Sequence, residues 1–160
     1  MKKVLLALAM TAMTALCAHA QFESGKQYYG ASLSGLGVSY SDRNQFSFGA
    51  AAQAGLMVAD DVLLMGEAGV DYGNSAWRSI YIGGKCRYYI EENGIFLGAG
   101  ARLKHEFKNY NDFQITPEVG YCYFVSRHVS IEPSIYFNLS CTDFSHNSEV
   151  GLKVGLGLYF

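Results

Sequence analysis

The chain ends in a stretch that alternates without a fault. Val150, Leu152, Val154, Leu156, Leu158 and Phe160 share one parity, while Glu149, Gly151, Lys153, Gly155, Gly157 and Tyr159 share the other. Successive side chains of a β-strand point to opposite faces, so this segment has one apolar face and one face of charge and glycine. The same split recurs upstream. Ile95, Leu97, Ala99, Ala101 and Leu103 oppose Phe96, Gly98, Gly100, Arg102, Lys104 and Glu106. Glu67, Gly69 and Asp71 oppose Ala68 and Val70, and Lys85 with Arg87 opposes Ile82, Gly84 and Tyr88. Charges within one stretch keep one parity; Arg78 departs from this at a strand end, where its long stem can snorkel. A period of two excludes amphipathic helices and demands a sheet with one apolar face.

Eight such stretches fill the chain, at about 27–38, 45–58, 62–73, 77–90, 95–107, 113–125, 129–139 and 148–160. Each reaches the roughly 9–11 residues that a tilted membrane strand needs. Three connections are tight: Ala59-Asp60-Asp61, Glu91-Glu92-Asn93-Gly94 and Ser126-Arg127-His128. Asn93-Gly94 supplies the positive φ of a tight hairpin. The others, around 39–44, 74–76, 108–112 and 140–147, are mostly longer and richer in Asn, Asp and Ser. Short turns at one end and longer loops at the other predict an up-and-down barrel with both termini at the short-turn end.

The first twenty residues read as a cleavable export signal. Lys2 and Lys3 precede an apolar core from Val4 to Leu16, and Ala18-His19-Ala20 places small residues where a signal peptidase reads them. That core is shorter than the roughly 20 apolar residues of a membrane-spanning helix. Leu16 before Cys17 disfavours lipidation, because a lipoprotein signal carries a small residue there. The predicted division is a signal over 1–20 and one barrel domain over 21–160. Without Lys2 and Lys3, ten basic side chains face fourteen acidic ones, which argues against a nucleic-acid binder. No later apolar run is long enough for a membrane helix, so a membrane location requires a closed barrel. Cys86, Cys122 and Cys141 are odd in number and lack metal-ligand spacing, so they read as isolated buried thiols. Export permits a disulfide, but no pair is favoured.

A soluble barrel would turn the apolar face inward; a membrane barrel turns it outward. The aromatic residues discriminate. On the apolar face, one end carries Phe46, Phe48, Tyr72, Phe107, Phe113 and Phe137, and the other Tyr29, Tyr88, Tyr121, Tyr123 and Phe160. Small and aliphatic residues lie between these two belts, as at a bilayer's two interfaces. The predicted fold is therefore all-β: an eight-stranded antiparallel transmembrane barrel. Its lumen would hold Glu67, Asp71, Lys85, Arg87, Arg102, Lys104, Glu106, Glu118, Glu132, Glu149 and Lys153. Six acids and five bases can pair into a salt-bridged plug, with inward glycines making room for the long cations. A narrow porin-like channel is the alternative. Pro117 and Pro133 interrupt neighbouring strands and predict a local bulge that weakens their pairing.

With its signal, its alternating strands and the terminal run Val150 to Phe160, the mature chain resembles the small outer-membrane barrels of the protein A and protein X type. The likeness is one of pattern, without long identities. It implies a bacterial outer-membrane location, contact with outer-membrane lipids and no nucleic-acid partner. It also implies a monomer with a structural or interaction role, assembled with periplasmic chaperones and the barrel-assembly machinery. The terminal strand is similar to that machinery's recognition signal, which would fall on Leu156, Leu158 and Phe160. Some eight-stranded barrels modify lipid A, and the deacylases among them resemble a His-x-Ser pair with a later glutamate. His146-Asn147-Ser148 echoes the pair, but the acid that should orient the base is missing, since Glu149 faces the lumen by parity. No enzymatic activity and no cofactor are therefore expected. His105 and His128 read as interface residues.

Overall fold

The computed structural model describes residues 22–35, 47–73, 76–90, 93–107, 110–142 and 148–160. The predicted signal, Cys17, Phe46, His146 and loop 39–44 lie outside the described residues. Ten strand segments follow in chain order: β1 Gln27–Ser34, β2 Ser47–Ala59, β3 Val62–Gly73, β4 Ala76–Tyr89 and β5 Ile95–Glu106, then β6 Tyr110–Ile115, β7 Glu118–Tyr121, β8 Tyr123–Phe124, β9 Val129–Ser140 and β10 Glu149–Tyr159. Segments β6, β7 and β8 line up as one interrupted stave between β5 and β9, so the ring has eight staves. Every pairing is antiparallel between chain neighbours, and β10 closes on β1 from Tyr28↔Tyr159 to Ser34↔Lys153. Closure leaves no sheet edge, which a strand in a bilayer requires.

Exposure decides which face is which. Ile82 and Leu103 are 65% and 60% exposed, while Arg87 and Glu132 are each 1% exposed. The apolar parity thus faces outward and the charged parity inward, the arrangement of a membrane barrel.

The predicted bulge at the prolines is absent. Register advances one for one through Gln114↔Ser140, Glu118↔Tyr136, Gly120↔Ser134 and Tyr123↔Ile131. Residues are therefore not inserted; hydrogen-bond donors are missing. Phe137 N donates to Pro117 O at 2.9 Å, but proline has no N–H to return the bond. In the same register Pro133 stands opposite Tyr121, four positions along the ladder, and lacks the same donor. Both gaps fall on one seam, which is why the sixth stave breaks into three pieces. Register shifts occur elsewhere, at Met57/Ala59 and Asp71/Tyr72.

Two of the tight turns each carry a left-handed residue among the described residues. Gly94 takes φ 68°, and Asp61 takes φ 62°, a left-handed conformation that Asp tolerates better than most residues. Near this end the lumen is apolar, a feature absent from the sequence reading. Phe22, Tyr28, Met57, Leu63, Met65, Tyr89, Phe96, Cys122 and Tyr159 form one buried cluster, with Phe124 against it. The chain before β1 turns into the mouth: Asp61 N donates to Phe22 O at 2.9 Å and Gly25 N to Met57 O at 2.8 Å.

Candidate functional site: a buried charge network in the lumen

Strand parity brings inward side chains from β3, β4, β5, β7, β9 and β10 to the barrel axis. Glu118 is the hub. Its carboxylate accepts from Arg87 Nε at 2.6 Å, Lys85 Nζ at 2.9 Å and Lys153 Nζ at 2.5 Å. Glycine makes this possible, because Gly98 stands opposite Glu118 and a Cβ there would lie 2.6 Å from Glu118 Cγ. Lys85 also reaches Glu67 at 3.2 Å, and Gln53 Nε2 donates to the same oxygen at 3.5 Å.

Below the hub, Glu132 accepts from Arg87 Nη1 at 2.6 Å, Ser130 Oγ at 2.7 Å and the hydroxyls of Tyr28 and Tyr159 at 3.0 Å. Arg87 bridges the two glutamates, and its guanidinium lies 4.4 Å from the centre of the Phe96 ring. A buried cation is thus held by two carboxylates and an aromatic face, which offsets its desolvation. Tyr89 and Tyr159 share a 2.9 Å hydroxyl contact beneath this layer.

Towards the longer loops the pairs are looser. Lys104 lies 3.6 Å from Asp71, which also accepts from Ser79 Oγ at 2.9 Å. Arg102 Nε donates to Gln114 Oε1 at 2.8 Å, and Gln114 Nε2 donates to Asp112 at 2.7 Å. Tyr136 donates to Glu149 at 2.9 Å. Glu106 is half-buried opposite Ser79 at the rim.

All eleven candidate lumen residues are buried or half-buried on the inward parity. The structure joins Glu67, Lys85, Arg87, Glu118, Glu132 and Lys153 into one ion-paired network. Lys104 with Asp71 forms a separate pair, and Arg102, Glu106 and Glu149 stand outside both. Asp112 joins the lumen unexpectedly. It falls at the edge of the predicted 108–112 connection, yet its parity with Gln114, Thr116 and Glu118 was legible. The neutral hydrogen-bonding partners Gln53, Gln114, Tyr28 and Tyr159 also escaped a reading centred on charge.

The cysteine expectation needs correction. Cys122 is buried in the lumen, but Cys86 and Cys141 are exposed, and all three are free. Cys86 follows the outward parity of β4, so its thiol faces the bilayer side. Ser148 Oγ accepts from Ser140 N at 3.3 Å, and Glu149 is committed to Tyr136. His105 Nδ1 lies 2.5 Å from Asn111 Oδ1, and His128 stacks on Phe160 at 5.8 Å. Leu156, Leu158 and Phe160 all project outward, and the Phe160 backbone pairs with Gln27 at 2.9 and 3.0 Å.

Above Glu118 the network leaves a cavity of about 20 Å³. That is room for about one water.

An outward apolar face around a salt-bridged lumen narrows the architecture to one kind. The chain has the fold of the small eight-stranded outer-membrane barrels. It is similar to the N-terminal β-barrel domain of Pseudomonas aeruginosa OprF, with a TM-score of 0.66, 13% identity, and coverage of 86% of this chain and 100% of that one. Neisserial surface protein A is similar at a TM-score of 0.56 and 17% identity, over 84% of this chain and 96% of its own. A de novo designed transmembrane β-barrel is similar at 0.55 and 14% identity, over 88% of this chain and 99% of its own. No family model and no curated protein matches the sequence. A designed protein among the neighbours makes the point that this fold does not by itself name a function.

Proposed function

We propose that this protein is a closed, non-catalytic barrel of the bacterial outer membrane, with a structural or loop-mediated interaction role. One observation carries the reading: Glu118 is clamped by three cations across the barrel axis, which occludes the lumen. Charges of alternating sign above and below it, Lys104 with Asp71 and Arg87 with Glu132, set successive barriers to either sign of ion. The outward apolar belt supports contact with lipid. The outward Leu156, Leu158 and Phe160 support recognition by the barrel-assembly machinery.

Planar-bilayer recording tests the closed lumen. Purified protein should add no stepwise conductance above the detergent control; steady unitary currents would overturn it in favour of a narrow channel. Membrane fractionation tests the location, and deletion of Phe160 should lower the folded, heat-modifiable fraction in the outer membrane. A lipid A mass shift that disappears in Ser148→Ala would replace the non-catalytic reading with an enzymatic one.

A further inference from the structure

The small cavity above Glu118 has an unusual wall. Lys85, Arg102 and Lys153 line it, each 4–7% exposed, against one carboxylate, Glu67. That carboxylate is already occupied by Lys85 and Gln53. Lys85 and Lys153 are shared with Glu118 beneath the floor. Arg102 differs. Its Nε bonds a neutral amide, Gln114, and its guanidinium lies 4.4 Å from the centre of the Tyr81 ring. Asp112 stands behind that amide, bonded to Gln114 rather than to the guanidinium. Among the described residues Arg102 forms no direct ion pair, and Glu67 is the one carboxylate that shares its cavity. A buried cation without a counter-charge is costly, and a counter-ion of the right size relieves it.

We propose that this cavity binds one small monovalent anion of halide size between Arg102, Lys85 and Lys153. Size sets the class: about 20 Å³ takes a single water or a monatomic anion but not a sulfate. Tyr81 and Asn138 also line the wall, and the hydroxyl of one and the amide of the other can donate, whereas the hydroxyl of Tyr136 is given to Glu149. Two buried hydroxyls without partners, Thr116 Oγ1 and Ser134 Oγ, lie outside this lining, although Ser134 faces Lys153 directly across the ladder. Three cations against one carboxylate leave a surplus of donors around the space, the condition an anion satisfies and a carboxylate-rich wall does not.

Chloride-35 NMR on the purified barrel in detergent tests the site. Excess line broadening should rise with protein concentration, be displaced by bromide and resist sulfate. Arg102→Gln should weaken chloride binding by about tenfold or more, the loss of one charge-assisted interaction. Lys104→Gln, at the rim, should leave it unchanged. Absence of excess broadening, or broadening undiminished in Arg102→Gln, overturns the site. If that variant does not fold, bromide-soaked crystals of the unaltered protein decide: an anomalous peak beside Arg102 supports the site, and water alone in the cavity refutes it.

Discussion

Phe22 stacks on Tyr89 with ring centroids 4.1 Å apart and planes 17° from parallel. Tyr159 and Phe124 meet the same ring edge-on, at 5.9 and 5.4 Å. Phe22, five residues ahead of β1, thereby seals the mouth and joins staves that are far apart in sequence. Phe22→Ala should destabilise the folded barrel by about 3 kcal/mol, and Phe22→Leu by much less. Urea unfolding in detergent measures both. Equal midpoints for Phe22→Ala and the parent would show that the ring is not a cap.

Removing the hub charge should be severe. Glu118→Gln leaves Lys85, Arg87 and Lys153 short of a counter-charge, at a cost of about 3–5 kcal/mol. Adding Lys153→Met should recover part of that loss, since the surplus cation goes. If the double variant is as unstable as the sum of its singles, the three cations do not act through Glu118. A double-mutant cycle on the unfolding midpoints reads this directly.

Glycines on the two faces should respond oppositely to a methyl group. A Cβ at Gly157 would collide with Glu132 and approach Ser130 Oγ to 2.5 Å, whereas at Gly66 nothing lies nearer than 3.9 Å. Gly157→Ala should cost about 1–3 kcal/mol, and Gly66→Ala should stay within about 0.5 kcal/mol. Similar losses at both sites would mean that the lumen relaxes around Glu132 more easily than its four partners imply.

The two prolines make the β7–β9 seam the weak join of the ring. Pro117→Ala restores a donor opposite Phe137 O, and Pro133→Ala one opposite Tyr121. Each should gain about 0.5–1.5 kcal/mol if the new bond forms. Hydrogen exchange should show Phe137 N–H less protected than amides across the β3–β4 seam in the parent, with the gap closing in Pro117→Ala. Uniform protection around the ring would contradict this.

Much of the molecule was readable before any coordinates. Alternation from Glu149 to Phe160 and from Ile95 to Glu106 assigned each side chain to a face, because strand parity is local and needs no partner. Asp112 falls outside the expected strand because β6 begins at Tyr110, before the alternation becomes clear. Pairing was different. Nothing in the sequence says that Arg87 bridges Glu118 and Glu132, or that Arg102 finds Gln114 instead of a carboxylate. The first depends on register between staves and on closure of β10 onto β1, which bring residues more than thirty positions apart to one level; the second depends on the β5–β6 register, which sets Arg102 opposite Gln114. Proline signalled a disturbed seam, but whether the disturbance was an inserted residue or a missing donor depended on both neighbours holding register.

By itself, the sequence determined an all-β chain of alternating strands, charged on one parity and apolar on the other. Only the tertiary structure decided that the inward parity changes character along the axis, from ion pairs around Glu118 to an aromatic cap around Phe22. Parity is a property of one strand; height in the barrel is a property of all eight staves and their stagger. The cap, the hub and the cavity beside Arg102 all exist at particular heights, so they appear only when the ring is closed.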